Sequence, residues 1–281
     1  MNLIQDIYSD YIQAQNKEYK KIYEGHEEWF SASSVGQCYK KQWYRTHGTP
    51  EKEMGEGSLR LLRLGTVVHR DIEEGIRWAV EQGKTDNVEI YLEETIKLPD
   101  LNVIGHLDIA YVKGPVDPKN TNYLLRGEEE ECAIYDLKTA KAYTWQRRFG
   151  HMKNRDPHPS RNYEMQVSTY ALGFSDLRGI SIDDIDMYII WYKKDDSAMK
   201  TIKISPDYIQ YALNYWIDLN ETLADIVSPD EMIPGEEPNV PVQNWECSYC
   251  PYTNVCDGKE RMNKLKKPKR RNNAKRNITN L

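Results

Sequence analysis

Apolar positions along the 281-residue chain change period several times, and the changes lay out the elements. Residues 1–24 carry Leu3, Ile4, Ile7, Tyr8, Tyr11 and Ile12 at helical spacing, which predicts a helix with a packing or partner face. Residues 31–47 open with serines able to cap a helix and place Cys38 in its first turns. A polar loop over 49–57 leads into the strongest signal, an amphipathic helix over 58–82 with Leu61, Leu62, Leu64, Val67, Val68, Ile72, Ile76 and Ala79. Two strands follow, 87–98 and 101–112, joined at Pro99-Asp100. The stretch 113–131 is rich in turn residues and ends in four glutamates, a solvated hairpin tip. A strand over 132–139 comes next, then an irregular segment 141–161, a helix over 162–175, strands over 185–193 and 199–204, and a helix over 206–227. Pro234 to Pro241 reads as a linker. Strands interleaved with helices predict an α/β fold with no internal repeat.

The candidate chemistry gathers around Cys132-Ala-Ile-Tyr-Asp136-Leu137-Lys138-Thr139. On a strand, residues two apart share a face, so Asp136 and Lys138 project together while Leu137 turns inward. Most D-x-K triplets are plain ion pairs. Here a second acid, Asp108, ends another strand-like run with Gly105 upstream, and His69 sits at the apolar edge of the long helix with Glu73 one turn on. A lone histidine at such an edge is usually a core residue. Two carboxylates and an imidazole together suit a divalent cation. A lysine beside them suits a charged nucleophile or the charge of a phosphoryl transition state. Gln166 and Tyr170, four apart, share a helix face.

Composition sharpens this picture in three ways. Net charge is −6, yet residues 259–281 carry ten Lys or Arg against one Glu, so an acidic body bears a basic tail, either a solvated end or a tether for a nucleic-acid backbone. Residues 141–161 interleave Lys141, Arg147, Arg148, His151, Lys153, Arg155, His158 and Arg161 with Tyr143, Trp145 and Phe149, a composition suited to a nucleic-acid strand. Three of the five cysteines form Cys247-x2-Cys250-x5-Cys256, a metal or iron–sulfur spacing one ligand short, for which Cys38 is the natural fourth and Cys132 the rival. No apolar run approaches the ~20 residues of a membrane span, and the N-terminus lacks a basic n-region, so the expected setting is the cytoplasm, or a host cytoplasm for a viral protein.

The order His69, Gly105-x-x-Asp108, Asp136-Leu137-Lys138, Gln166-x3-Tyr170 resembles the PD-(D/E)XK nucleases of the RecB-like branch. With Cys38 upstream and three cysteines downstream, the chain is similar to the iron–sulfur subgroup, which includes AddB-type helicase–nucleases, CRISPR-associated exonucleases of spacer acquisition and stand-alone phage members. The resemblance covers residues 31–258. It implies a restriction-endonuclease-like core: a central mixed β-sheet flanked by helices, with the C-terminal segment tied to an N-terminal helix by a metal cluster on four cysteines. Residues 1–258 would form that nuclease domain and 259–281 a flexible basic tail. His69, Asp108, Asp136 and the Leu137 carbonyl would hold Mg2+ or Mn2+. Asp108, Asp136 and Lys138 would be catalytic, and Cys38, Cys247, Cys250 and Cys256 would bind a [4Fe–4S] cluster. Gln166 and Tyr170 would contact DNA, joined by Arg147 and Arg148 of the basic segment. The implied activity is DNA exonuclease action, on single strands from an end, in recombination, repair or spacer processing. The sequence holds no G-x4-G-K-[ST] phosphate loop, so a helicase, recombination or integration partner would supply any motor.

Two other readings compete. One is a catalytically weak or inactive DNA-binding scaffold subunit. The other is an interaction protein whose four cysteines hold Zn2+, since spacing alone does not separate zinc from iron–sulfur.

Overall fold

The computed structural model describes residues 3–21, 28–85, 87–114, 131–150, 161–233, 240–242, 245–260 and 263. It shows an α/β fold with a mixed central sheet flanked by helices. The strands are β1 (Phe30–Ser31), β2 (Val88–Leu98), β3 (Val103–Lys113), β4 (Glu131–Ala140), β5 (Ile185–Lys193) and β6 (Met199–Lys203). They run in the order β1-β3-β4-β5-β6, with β2 on the free side of β3. The β2–β3, β3–β4 and β5–β6 pairings are antiparallel, whereas β1–β3 and β4–β5 are parallel.

The core lies between this sheet and α5 (Arg161–Arg178), itself covered by α6 (Asp207–Asp225). Helix α5 is buried on most sides because it is sandwiched: Val167, Ala171 and Phe174 are fully buried, and so are the polar Ser168 and Thr169. The Trp216 indole of α6, also fully buried, donates to Thr169 Oγ1 at 3.0 Å, so the indole's polar demand is met inside the layer. Two glycines set how closely α5 approaches the sheet. A Cβ at Gly173 would stand 1.7 Å from Ile96 Cγ2 of β2, and one at Gly105 of β3 would stand 2.9 Å from Tyr170 Cε1 and 2.7 Å from Ala32 Cβ.

Outside the core, α3 (Glu56–Glu81) touches β4 where a Cβ on Gly65 would lie 3.1 Å from Thr139 Oγ1. The amphipathic pattern of α3 is real, but Leu62, Leu64 and Val67 remain 56%, 51% and 48% exposed. Helix α1 (Leu3–Lys21) packs along α3 through Arg63 and Tyr11, 3.0 Å apart, and leaves Leu3 and Ile4 exposed.

Three sequence expectations change. Cys38 is the residue that precedes α2 (Tyr39–Thr46), not part of its first turns. The segment expected to be irregular from 141 begins with a helix, α4 (Ala142–Phe149), whose Trp145 and Phe149 pack edge-on and whose Phe149 packs in turn on Trp191 of β5. That aromatic contact is tertiary and has no local signature. The strand expected from 101 starts at Val103, after a left-handed turn at Asn102 (φ 53°). Residues 151–160, the acidic tip 128–130, the linker 234–239 and all but a few residues of the basic tail lie outside the described residues.

If Gly173 sets the α5–β2 distance, Gly173→Ala will destabilise the protein by about 1–3 kcal/mol, read as a lower urea midpoint. Adding Ile96→Ala will recover part of that loss relative to the sum of the single variants, whereas strict additivity would show that the two residues do not meet.

Candidate active site

Strand β3 changes partners along its length. Its first residues, Val103 and Ile104, pair with Phe30 and Ser31 of β1. Its last five, Ile109 to Lys113, pair with Tyr135 back to Glu131 of β4. The two strands therefore part just beyond Ile109 and Tyr135, at Asp108 and Asp136. Freed from the ladder, the Leu137 N–H donates to Asp108 Oδ2 at 2.5 Å. A carboxylate has taken the place of a strand carbonyl, which fixes Asp108 in the opening.

Strand β2 reaches the same place by a different device. Leu92 pairs with Ile109 and Glu94 with Leu107, which brings Glu93 opposite Asp108. Glu93 has φ 53°, a left-handed conformation inside a strand. The consequence is a reversal of face. Tyr91 packs on Phe174 of α5, and Ile96 packs on Gly173 of the same helix, although a regular strand would point residues five apart to opposite faces. The turnover falls at Glu93 and brings its carboxylate toward the opening. Helix α3 completes the site with His69, whose Nδ1 lies 3.6 Å from Asp108 Oδ1. Ligand atoms of His69, Glu93 and Asp108 all fall within 4.8 Å of one another, and this is the one such His/Cys/Asp/Glu set among the described residues.

Next to this trio lies a deeply buried charge. Asp136 is 1% exposed, and its Oδ2 lies 2.5 Å from Lys138 Nζ. Its Oδ1 is shielded from solvent and has no hydrogen-bond partner among the described residues. The Lys138 ammonium also stands 5.3 Å from the centroid of the Tyr163 ring, which packs edge-on against Trp191. Burial pushes the Asp136 carboxyl well above the usual carboxylate range; Lys138 opposes this and Asp108 adds to it. Burial alone would lower Lys138 and His69, but the carboxylates beside them prevail and raise both. Burial, then Asp108 and Glu73, push Glu93 up to about 7.

The structure thus brings together His69, Asp108, Asp136, Leu137 and Lys138 from three separate stretches of sequence. It adds Glu93, which the sequence reading passed over, and leaves Asp136 paired with Lys138, outside the 4.8 Å trio. A signal for Glu93 existed: Glu93-Glu94-Thr95 interrupts the run of apolar residues in an otherwise regular strand. Glu73, one turn on from His69, faces Glu93 and Arg77.

The expected DNA contacts fare differently. Gln166 and Tyr170 are interior, 6% and 4% exposed, with Gln166 Nε2 donating to the Tyr170 hydroxyl at 2.8 Å. Tyr170 abuts Gly105 of β3. Arg148 is interior as well. It is 4% exposed, hydrogen-bonded to Glu164 and 4.6 Å over the ring of Trp191 on β5. Arg147 stays half-buried at the surface, 6.0 Å from the Tyr143 ring centroid.

A second cluster lies where the two ends of the chain meet. Cys38, Cys247, Cys250 and Cys256 line one cavity of about 130 Å3, together with Lys41, Tyr44, Trp245 and Glu246. Cys132, the rival fourth ligand, is instead buried in β4. Ordinary contacts already join the chain ends here. The buried Glu246 carboxylate accepts the Cys38 N–H at 2.6 Å, Lys52 N–H donates to Pro251 O at 2.8 Å, and Tyr252 packs on Tyr44 at 5.3 Å. Burial raises the Cys38 and Cys250 thiols, and the neighbouring cysteines add to the shift.

The carboxyl shifts carry a stability consequence. Between its ordinary value of 4.5 and about 7, Glu93 holds its proton in the folded protein and has lost it in the unfolded chain. Stability contributed by this group is therefore present at low pH and lost as pH rises through that window, and Asp136 acts in the same direction. In chelator, the melting temperature will fall from about pH 5 to about pH 8, and Glu93→Gln will shallow the fall. An unchanged slope in that variant would place the Glu93 carboxyl outside the cluster.

Comparison with known proteins bears on this geometry. Residues 123–257 match a family described as the PD-(D/E)XK nuclease superfamily, a span that takes in Asp136, Lys138, Gln166, Tyr170 and the three downstream cysteines. No curated protein matches the sequence. Among solved structures, the crystal structure of SSO0001 aligns with a TM-score of 0.46 at 14% identity, covering 90% of this chain and 97% of that one. A protein from Eubacterium rectale described as an exonuclease aligns at 0.43 and 14%, covering 71% and 82%. The alkaline exonuclease LHK-Exo from Laribacter hongkongensis aligns at 0.41 and 14%, covering 73% and 92%. Over residues 123–257, the chain is similar to the PD-(D/E)XK nuclease superfamily.

Proposed function

We propose that this protein is a divalent-metal-dependent DNA exonuclease that hydrolyses phosphodiester bonds in single strands from an end. The observation that carries the reading is the convergence of His69, Glu93 and Asp108 within 4.8 Å beside the buried Asp136–Lys138 pair, at the point where the sheet opens. The donor set fits Mg2+ or Mn2+: carboxylate oxygens with one imidazole, and a shielded Asp136 Oδ1 that needs a partner. When bound, such an ion supplies an activated water and offsets negative charge. His69, Glu93, Asp108, Asp136 and the Leu137 carbonyl are the residues that would hold it. Lys138, held by Asp136 and Tyr163, is positioned to orient the attacking water or to stabilise charge on the phosphate oxygens. The Asp108–Leu137 hydrogen bond keeps the two carboxylates in register while that happens.

The four cysteines around one cavity support a [4Fe–4S] cluster as a structural tie. A motor, if the pathway uses one, would come from a helicase, recombination or integration partner. The proposed setting is the cytoplasm, or the host cytoplasm for a viral protein. No helix among the described residues is long and apolar enough to cross a membrane.

The decisive assay digests single-stranded DNA labelled separately at each end, with Mn2+, Mg2+ or chelator. Wild type will lose one label in a metal-dependent way, and Asp136→Ala will lose at least about 1,000-fold in rate while keeping its circular dichroism spectrum. Full activity in Asp136→Ala would sink the site assignment. Binding without cleavage under every metal would favour the scaffold reading. Glu93→Gln will weaken Mn2+ binding by at least about tenfold, read by calorimetry.

Anaerobically purified protein will show visible absorption that Cys250→Ser removes, with a lower melting temperature. Colourless wild type holding one Zn2+ would replace the cluster with zinc.

A further inference from the structure

Strand β4 does not end at Lys138. Three residues further, about 10 Å along the strand, it delivers Lys141 at the start of α4. The turn after β5 is clipped to the same place by two hydrogen bonds: Lys194 N–H donates to Ala140 O at 2.9 Å, and Ala142 N–H donates to Asp195 Oδ2 at 2.6 Å. These clips set Lys194 beside Lys141. The Lys194 ammonium donates to the Leu61 carbonyl of α3 at 2.9 Å, two turns before His69 on one helix face, about 12 Å along the axis. A Cβ on Gly65 would stand 4.0 Å from it, so α3 presses close there.

Nearby acids are committed elsewhere. Asp195 caps the start of α4, and Asp196 pairs with Lys193 at 2.5 Å. Among the described residues, no carboxylate lies within ion-pair distance of Lys194. Burial and the proximity of Lys141 lower its pKa, as expected of a cation pressed against a cation. One residue past Ala142, Tyr143 is 66% exposed, with the Arg147 guanidinium 6.0 Å from its ring centroid.

We propose that Lys141, Lys194 and Tyr143 form a subsite for a single-stranded polynucleotide, two ammonium groups holding a backbone phosphate and the open Tyr143 face carrying a base. Charge complementarity and an exposed aromatic on one short track are what such strands need. The track leads away from Lys138, so a strand lying on it continues past the opening. This rests on the nuclease reading and specifies how the substrate is held.

The test is fluorescence anisotropy of a labelled oligo-dT in chelator across a salt series, with melting curves to confirm that each variant folds. Lys194→Ala will weaken binding about tenfold and flatten the slope of log affinity on log salt by about 0.7. Tyr143→Ala will also lose about tenfold, Tyr143→Phe will bind like wild type, and the Tyr143→Ala loss will vanish on an abasic oligonucleotide. Wild-type affinity and slope in both alanine variants would overturn the subsite, as would no binding by wild type. A separate Mn2+ digestion keeps the two readings apart. Wild type that binds but never cleaves defeats the nuclease reading and leaves the subsite standing; wild type that cleaves while the variants bind normally does the reverse.

Discussion

The site depends on one local event in the sheet, the separation of β3 from β4 at Asp108 and Asp136. Parting strands expose backbone groups that must find partners. Here the Asp108 carboxylate accepts the orphaned Leu137 N–H, so the same group that marks the opening also holds its geometry. Strand β1, only two residues long, fills the ladder beyond the gap by pairing with the first residues of β3. The opening is thus flanked by paired strand on both sides.

Burying Asp136 and Lys138 in that gap is costly unless each satisfies the other, and the 2.5 Å contact does so for one oxygen only. The remaining Asp136 oxygen has no hydrogen-bond partner among the described residues, and burial, with Asp108 beside both groups, raises the Asp136 and Glu93 carboxyls. The aromatic layer of Tyr163, Trp191 and Phe149 supports Lys138 from beneath and places Arg148, through Glu164 and Trp191, in the interior.

A second constraint closes the chain on itself. The start of α2 and the segment 245–256 are held together by Glu246, Tyr252 and the Lys52–Pro251 hydrogen bond, and four cysteines face the cavity between them. The sheet and the cysteine lobe are built from different parts of the sequence. The α5–α6 layer links them: Tyr215 of α6 donates to Gln37 O at 2.8 Å, one residue before Cys38.

Much of this was legible in the chain itself. Periodicity located α3, α5, α6 and the strands β2 to β5, because each buries a face of fixed period. The acid–x–lysine triplet and Asp108 stood out because charge rarely ends an apolar strand, and Cys247, Cys250 and Cys256 because they are too clustered for scattered core thiols. What the sequence left undecided was which face each residue meets. Glu93 reads as an ordinary strand acid until a left-handed backbone brings it, still exposed, beside His69 and Asp108. Arg148, Gln166 and Tyr170 read as ligands until packing draws them inward. Lys194, 53 positions from Lys141 in sequence, becomes its neighbour only through two hydrogen bonds between β4, α4 and the β5 turn. Local pattern fixes which elements form, since it depends on neighbours within a few residues. The direction of a side chain at an element's end depends on contacts between elements, and only the assembled sheet and helices decide it.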